Sequence, residues 1–241
     1  MKFHKMKKIK ILVIVLFLSN NINAQDKNAQ ELNLAFTKDS LGDYKTAIDI
    51  YTRAISQNPK NIDLYYYRAN SFFSKKDYDS AINDYDVVLK LKPDFKDALY
   101  NKANAYYELK KFQEAIPIFD KILALDANNS FALYDRANTW FQLNDYKKSL
   151  DDFNKSLALN PSYLEAYYDR GNVFFVLKDY MEAIKNYDKA IELDKNRSEF
   201  YFNRAMAEIS LGFNEDGCVD LNYAADLGDQ QANDYIKEFC K

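Results

Sequence analysis

Large apolar, small and polar side chains return along this chain at a fixed interval of 34 residues. Counting units from Asn28 places their starts at 28, 62, 96, 130, 164 and 198, with no insertion or deletion. Unit position 8 is small throughout: Ala35, Ala69, Ala103, Ala137, Gly171 and Ala205. Position 20 is small as well: Ala47, Ala81, Ala115, Ser149, Ala183 and Gly217. Position 17 is Tyr44, Tyr78, Phe112, Tyr146 and Tyr180, and position 24 is Tyr51, Tyr85, Phe119, Phe153, Tyr187 and Leu221. On a helix turning about 100° per residue, positions 4, 8 and 11 share one face. Each unit therefore reads as two amphipathic helices, the small residues letting them approach and the aromatics filling the space around them. Asp at position 16 (Asp43, Asp77, Asp145, Asp179) suits the N-cap of the second helix. Pro at position 32 (Pro59, Pro93, Pro161) cannot continue that helix. Pro117 falls inside a second helix, near enough to its start to be tolerated with a slight kink.

The first helix carries another stripe beside its packed face, at positions 5, 9 and 12. In units two to five it reads Tyr66, Asn70, Phe73; Tyr100, Asn104, Tyr107; Tyr134, Asn138, Phe141; and Tyr168, Asn172, Phe175. Unit one has Leu32, Phe36 and Asp39 there, and unit six has Phe202, Met206 and Ile209. Asparagine inside a helix costs roughly 0.6 kcal/mol relative to alanine. Four of them nevertheless hold one position, while position 10 has drifted through Ser71, Ala105, Thr139 and Val173. A side-chain amide holds donor and acceptor on one short arm. Such a row can bond the backbone of an extended chain, or it can bond across to the next repeat for packing. Position 7 holds Arg68, Lys102, Arg136, Arg170 and Arg204 on the side away from this stripe. Their stems are expected to pack and their heads to pair with acids of the preceding repeat.

The chain ends add a compartment. MKFHKMKKIK carries five Lys and no acid, and the apolar run ILVIVLFL (11–18) and the polar stretch SNNINAQ follow. That order is a secretory signal peptide, with the cut expected after Ala24. The apolar run is far short of the roughly 20 residues that span a bilayer. Export to the periplasm or the extracellular space follows, with no membrane insertion once the leader is removed. Removing the leader's five lysines leaves 28 bases against 36 acids, a formal charge of −8. No basic run remains, which disfavours nucleic acid as a partner. The one histidine, His4, leaves with the leader, removing the commonest general base and metal ligand. Neither a phosphate-cradling loop, a nucleophile elbow nor a zinc site appears, so the reading is non-enzymatic with no metal and no cofactor. Cys218 and Cys240 are an even pair in an exported chain, read as a disulfide or, alternatively, as two buried thiols.

The columns small-8, aromatic-11, Ala-20, aromatic-24, small-27 and Pro-32 resemble the tetratricopeptide repeat. The resemblance implies an all-α fold: a right-handed α-solenoid of six helix-turn-helix repeats with a C-terminal capping helix. Its approximate boundaries are a leader over 1–24, repeats within 25–229, and a cap over 230–241. The repeat windows are 28–61, 62–95, 96–129, 130–163, 164–197 and 198–231. Degraded end units, with Lys38 and Glu208 at position 11, fit terminal repeats that meet water. The tail AADLGDQQANDYIKEFC resembles the Sel1-like variant of the same hairpin; Cys218 would then oppose Cys240 on the antiparallel neighbour. In the tetratricopeptide family the 5, 9, 12 stripe lines the concave partner groove. Repeats of O-linked N-acetylglucosamine transferases carry a similar asparagine ladder that holds peptide backbone. The implied function is a cell-envelope scaffold binding an extended protein or peptide segment. Acids at position 2 (Asp63, Asp97, Glu165, Glu199) favour a neutral or basic partner. Two alternatives remain at this level: a subunit of an envelope or secretion assembly using its convex face, and a cell-wall glycan binder.

Overall fold

A computed structural model describes residues 29–240. The signal peptide read over 1–24, with its cut, lies outside the described residues. Among those residues every regular element is an α-helix. They fall into two compact units, one ending at Leu109 and the other starting at Lys110. The first unit holds α1 (29–40), α2 (Tyr44–Gln57), α3 (Ile62–Ser74), α4 (Tyr78–Leu91) and α5 (Lys96–Glu108). The second holds α6 (Phe112–Leu125), α7 (Ser130–Gln142), α8 (Tyr146–Leu159), α9 (Leu164–Val176), α10 (Tyr180–Leu193), α11 (Ser198–Ser210), α12 (Asn214–Asp226) and α13 (Gln230–Phe239). Helices consecutive in the chain pack against each other within each unit, which is the helical-repeat, solenoid-class fold.

The 34-residue columns account for this packing. Position-8 alanines Ala69, Ala103, Ala137 and Ala205 are fully buried, and so are Ala47, Ala81, Ala115 and Ala183 at position 20. The position-24 side chains Tyr51, Tyr85, Phe119, Phe153, Tyr187 and Leu221 are buried beside them. At Gly171 even a methyl group is too much, since a Cβ would sit 2.6 Å from a ring carbon of Tyr187.

Helix boundaries follow local chemistry. The carboxylates of Asp43, Asp77, Asp145 and Asp179 accept from the backbone N–H three residues on, at 3.2–3.4 Å. Lys111 takes that place before α6 and makes no such cap. Helix α6 runs unbroken through Pro117. The tight turn inside each hairpin places position 15 at positive φ, and the residues there are Gly42, Lys76, Lys110, Asn144, Lys178 and Gly212. Gly228 repeats the geometry before α13. The lysines tolerate a backbone that glycine adopts freely.

A disulfide joins Cys218 on α12 to Cys240, the residue that ends α13. The free-thiol alternative is thereby set aside. Ala232 of α13 packs with Ala205, Leu221 and Ala224. The bridge fixes a helix that contributes one fully buried side chain of its own, and it closes a 22-residue separation. By chain entropy such a loop stabilises by roughly 3 kcal/mol.

Candidate partner-binding stripe

The sequence-predicted stripe residues occupy matching places on the first helices. Tyr66, Asn70 and Phe73 lie on α3, and Tyr100, Asn104 and Tyr107 on α5, in the first unit. Tyr134, Asn138 and Phe141 lie on α7, and Tyr168, Asn172 and Phe175 on α9, in the second. All twelve are half-buried.

Asn70, Asn138 and Asn172 bond across repeats, to a residue the sequence pattern did not single out. Asn70 Oδ1 accepts from the Tyr85 hydroxyl at 2.7 Å and from Asn101 Nδ2, on the next first helix, at 3.0 Å. Asn172 Oδ1 repeats this with Tyr187 at 2.9 Å and Asn203 at 3.1 Å. Asn138 is turned the other way: its Nδ2 donates to Asp169 Oδ2 at 3.2 Å. The reason lies in repeat four, where position 24 is Phe153 and offers no hydroxyl, while position 6 of the next repeat is Asp169, which only accepts. From repeat two to repeat five, tyrosine at 24 thus goes with asparagine at 6 of the following repeat (Tyr85 with Asn101, Tyr187 with Asn203), whereas in repeat one Tyr51 is followed by Tyr67. Phenylalanine goes with aspartate (Phe119 with Asp135, Phe153 with Asp169). That correlation is the sequence signal that could have identified position 6.

Aromatic neighbours complete the stripe. Tyr66 packs on Phe95 and Tyr85, Tyr134 on Tyr163 and Phe153, and Tyr168 on Phe200 and Tyr187. The position-12 rings pack on position 17 of their own repeat: Phe73 on Tyr78, Phe141 on Tyr146, Phe175 on Tyr180. Their partner is thus the second helix of the same hairpin. The stripe stops where its chemistry changes. In repeat one Phe36 takes the asparagine place, and Asp39 accepts from Tyr51 at 3.2 Å and Ser71 at 2.7 Å.

The electrostatics are one-sided. Asp169 accepts from the Tyr134 hydroxyl at 2.6 Å as well as from Asn138. Burial pushes its carboxyl above the usual range, while those hydrogen bonds pull it down. Burial, then the Asp169 charge, pushes the Tyr134 phenol up, so it remains a donor. Glu165, one turn before Asp169 on α9, adds a second negative charge and helps raise the Asp169 carboxyl. The positions forming the stripe in repeats two to five contain no Lys or Arg.

Four of the five position-7 cations, Arg68, Lys102, Arg136 and Arg204, pair with carboxylates elsewhere on these helices. Arg68 Nε and Nη2 clasp Asp84 at 2.7 and 2.8 Å, Arg136 clasps Asp152 at 2.7 and 2.8 Å, and Arg204 clasps Asp220 at 2.6 and 2.8 Å. The clasped acid belongs to the arginine's own repeat. The acid of the preceding repeat, the expected partner, takes Nη1 in two of these arginines, Asp120 for Arg136 and Asp188 for Arg204, each at 2.5 Å, and Lys102 pairs with Asp86 of its preceding repeat at 2.5 Å. Own-repeat position 23, which faces position 7 across one hairpin, takes two of the guanidinium's donors and is the partner the sequence pattern did not single out.

Repeat six carries an isolated titratable group. Glu208 on α11 has one carboxylate oxygen buried with no hydrogen-bond partner. Burial pushes its carboxyl up to about 7; Asp220 and Asp216 on α12 and Asp188 on α10 add to this, and Arg204 on α11 opposes it. The folded state therefore holds a proton that the unfolded chain releases near its ordinary pKa of 4.5. Stability from this group is greatest at low pH, falls as pH rises from 4.5 and levels off above 7. Comparing melting at pH 5 and pH 8 for wild type and Glu208→Gln isolates the effect. The variant should lose about 1–2 kcal/mol of the wild-type pH dependence after allowance for screening. Equal pH profiles would contradict the assignment.

Comparison with known proteins places this geometry. Residues 130–163 and 164–197 match the tetratricopeptide-repeat family. Repeats four and five are tetratricopeptide repeats. Residues 40–122 match the family described as anaphase-promoting complex, cyclosome, subunit 3. No curated protein matches the sequence. Solved tetratricopeptide-type structures share the fold at low identity. The protein MamA (residues 41 to the end) from Desulfovibrio magneticus aligns at 20% identity and TM-score 0.67, covering 71% of this chain and 97% of that one. YrrB, described as a TPR protein with an unusual peptide-binding site, aligns at 23% and 0.64, covering 78% and 97%. The C-terminal part of a TPR repeat-containing protein from Cytophaga hutchinsonii aligns at 14% and 0.73, covering 86% and 87%. Tetratricopeptide repeats typically serve as scaffolds for protein interaction, and the chain has that scaffold fold. Among the described residues no helix is long and apolar enough to cross a membrane.

Proposed function

We propose that this chain is a non-enzymatic, exported scaffold of the cell envelope that receives an extended protein segment, neutral or basic, along the first-helix stripe. The observation that carries the reading is the acidic, aromatic row of the second unit. There Tyr134, Asn138, Asp169 and Asn172 form a connected polar line with no cation among them and Glu165 beside it. Rigid tyrosines and phenylalanines supply apolar area at low rotamer cost. The carboxylates select positive over negative side chains. Peptide binding by YrrB is a property of that protein, and the shared fold makes the same use reasonable here. The Cys218–Cys240 disulfide and the leader-like first 24 residues support the exported setting. The tail keeps its Sel1-like reading as the closing hairpin.

The test is selection from a displayed library of extended peptides, followed by affinities for the Glu165→Gln, Asp169→Asn double variant. The proposal expects enrichment of Lys or Arg among apolar residues and roughly tenfold weaker binding by the double variant at unchanged helicity. Acidic winners, or basic winners indifferent to the variant, would sink it. The assembly-subunit reading has its own observation: Phe213 just before α12, Val219 and Tyr223 on it and Leu227 just after it expose large apolar surface. Peptides lost on changing Val219 and Tyr223 to Ser, but kept by the groove variant, would favour it.

A further inference from the structure

The arginine row contains one exception, and it serves as its own control. Arg170 is held by Asn186 Oδ1 on Nε at 2.8 Å and Asn154 Oδ1 on Nη1 at 2.7 Å. Both partners are neutral, where Arg136 and Arg204 each meet two carboxylates. Asn186 is 3% exposed, and its Nδ2 is committed to the Glu182 carbonyl at 2.7 Å. It therefore cannot rotate its nitrogen away to imitate a carboxylate. In the other three arginines Nη2 donates to the second carboxylate oxygen; in repeat five asparagine has no such oxygen. The guanidinium plane is meanwhile braced against the Tyr167 ring, 5.6 Å from its centroid. Burial depresses the Arg170 pKa, whereas the acids around Arg204 raise that residue's. Arg170 thus sits preoriented and charged, its site short of one anionic oxygen.

We infer that Arg170, with Asn154, Asn186 and Tyr167, is a recognition point for a carboxylate, an Asp or Glu side chain of a protein partner that approaches away from the asparagine stripe. Positions 7 and 9 stand about 160° apart around the helix, so the site is independent of the peptide reading and neither depends on the other. A partner carboxylate supplies the oxygen that Asp84, Asp152 and Asp220 supply in their own repeats, and it gives Arg170 the direct ion pair that Asn154 and Asn186 do not provide. Asn186→Asp should close the site from within, by restoring the ion pair of the neighbouring repeats.

The experiment is an NMR titration of the arginine Nε–H resonances of the full chain. The probes are the blocked tripeptide Gly-Glu-Gly and its Gly-Gln-Gly counterpart at equal ionic strength. The expected result is a saturable shift at Arg170 with the glutamate peptide alone, no comparable shift at Arg68, Arg136 or Arg204, and at least about tenfold weaker binding in Asn186→Asp. That variant should also melt at or above the wild-type temperature, showing that lost binding is not lost folding. The inference is overturned if Arg170 responds no more than the other three arginines. It is equally overturned if Asn186→Asp titrates as wild type does.

Discussion

Arg136→Ala should lower the stability of the second unit by about 3–5 kcal/mol, because it strands a buried charge. Asp152 is 3% exposed and receives both Nε and Nη2 of Arg136. Burial alone would weaken the arginine's charge, but Asp152 and then Asp120 more than offset it, and the guanidinium is held firmly charged. Removing it leaves Asp152 with neither cation nor solvent. Arg136→Lys should recover only part of the loss, since an ammonium cannot make the forked contact. Arg136→Met with Asp152→Leu should recover most of it, since the cost lies in the orphaned charge. Arg170→Ala should cost markedly less, as the partner left behind, Asn186, is neutral. Denaturant midpoints combined with amide exchange along α7 and α8 separate local from global loss in a repeat array. Equal losses for Arg136→Ala and Arg170→Ala would show that the clasp acts through packed stems alone.

What the sequence made legible is what lies inside one hairpin. The small residues at 8 and 20, the rings at 24 and the aspartate caps all meet partners a fixed, short distance away along the chain. Asp43, Asp77, Asp145 and Asp179 cap as their position demands. Contacts between hairpins were harder, because a helical wheel describes one helix and is silent about which residue of the next helix arrives opposite. Asn70 meets Asn101, 31 residues on, and Asn138 meets Asp169 at the same separation. Position 6 appears on a wheel as an unremarkable flank, so the sequence left both an outside chain and the next repeat as partners for the asparagines. In Asn70, Asn138 and Asn172 one end of the amide is engaged by the next repeat. In the arginine row the acids of the preceding repeat meet Arg136 and Arg204 as expected, while the two-pronged clasp across each arginine's own hairpin was the part left unread.

The asparagine row can be tested from its aromatic side. Tyr187→Ala should destabilise by about 3–5 kcal/mol, as deletion of a ring this deeply buried leaves a cavity. Tyr187 is 1% exposed and its ring lies against Gly171, where no side chain exists to collapse inward. Tyr187→Phe keeps the ring and removes only the hydroxyl that donates to Asn172 Oδ1 at 2.9 Å. It should cost about 1 kcal/mol, the net value of one such bond. Adding Asn203→Asp to Tyr187→Phe rebuilds the combination found one repeat earlier, where Phe153 goes with Asp169 and Asn138 turns its nitrogen to the acid. The double variant should therefore regain most of that 1 kcal/mol, while Asn203→Asp alone, with Tyr187 present, should not. Thermal and denaturant unfolding of the three variants form a double-mutant cycle with a favourable coupling as its expected result. A coupling near zero would mean that positions 24 and 6 vary independently. The asparagine would then be oriented by its own helix, leaving its whole amide available to a bound chain.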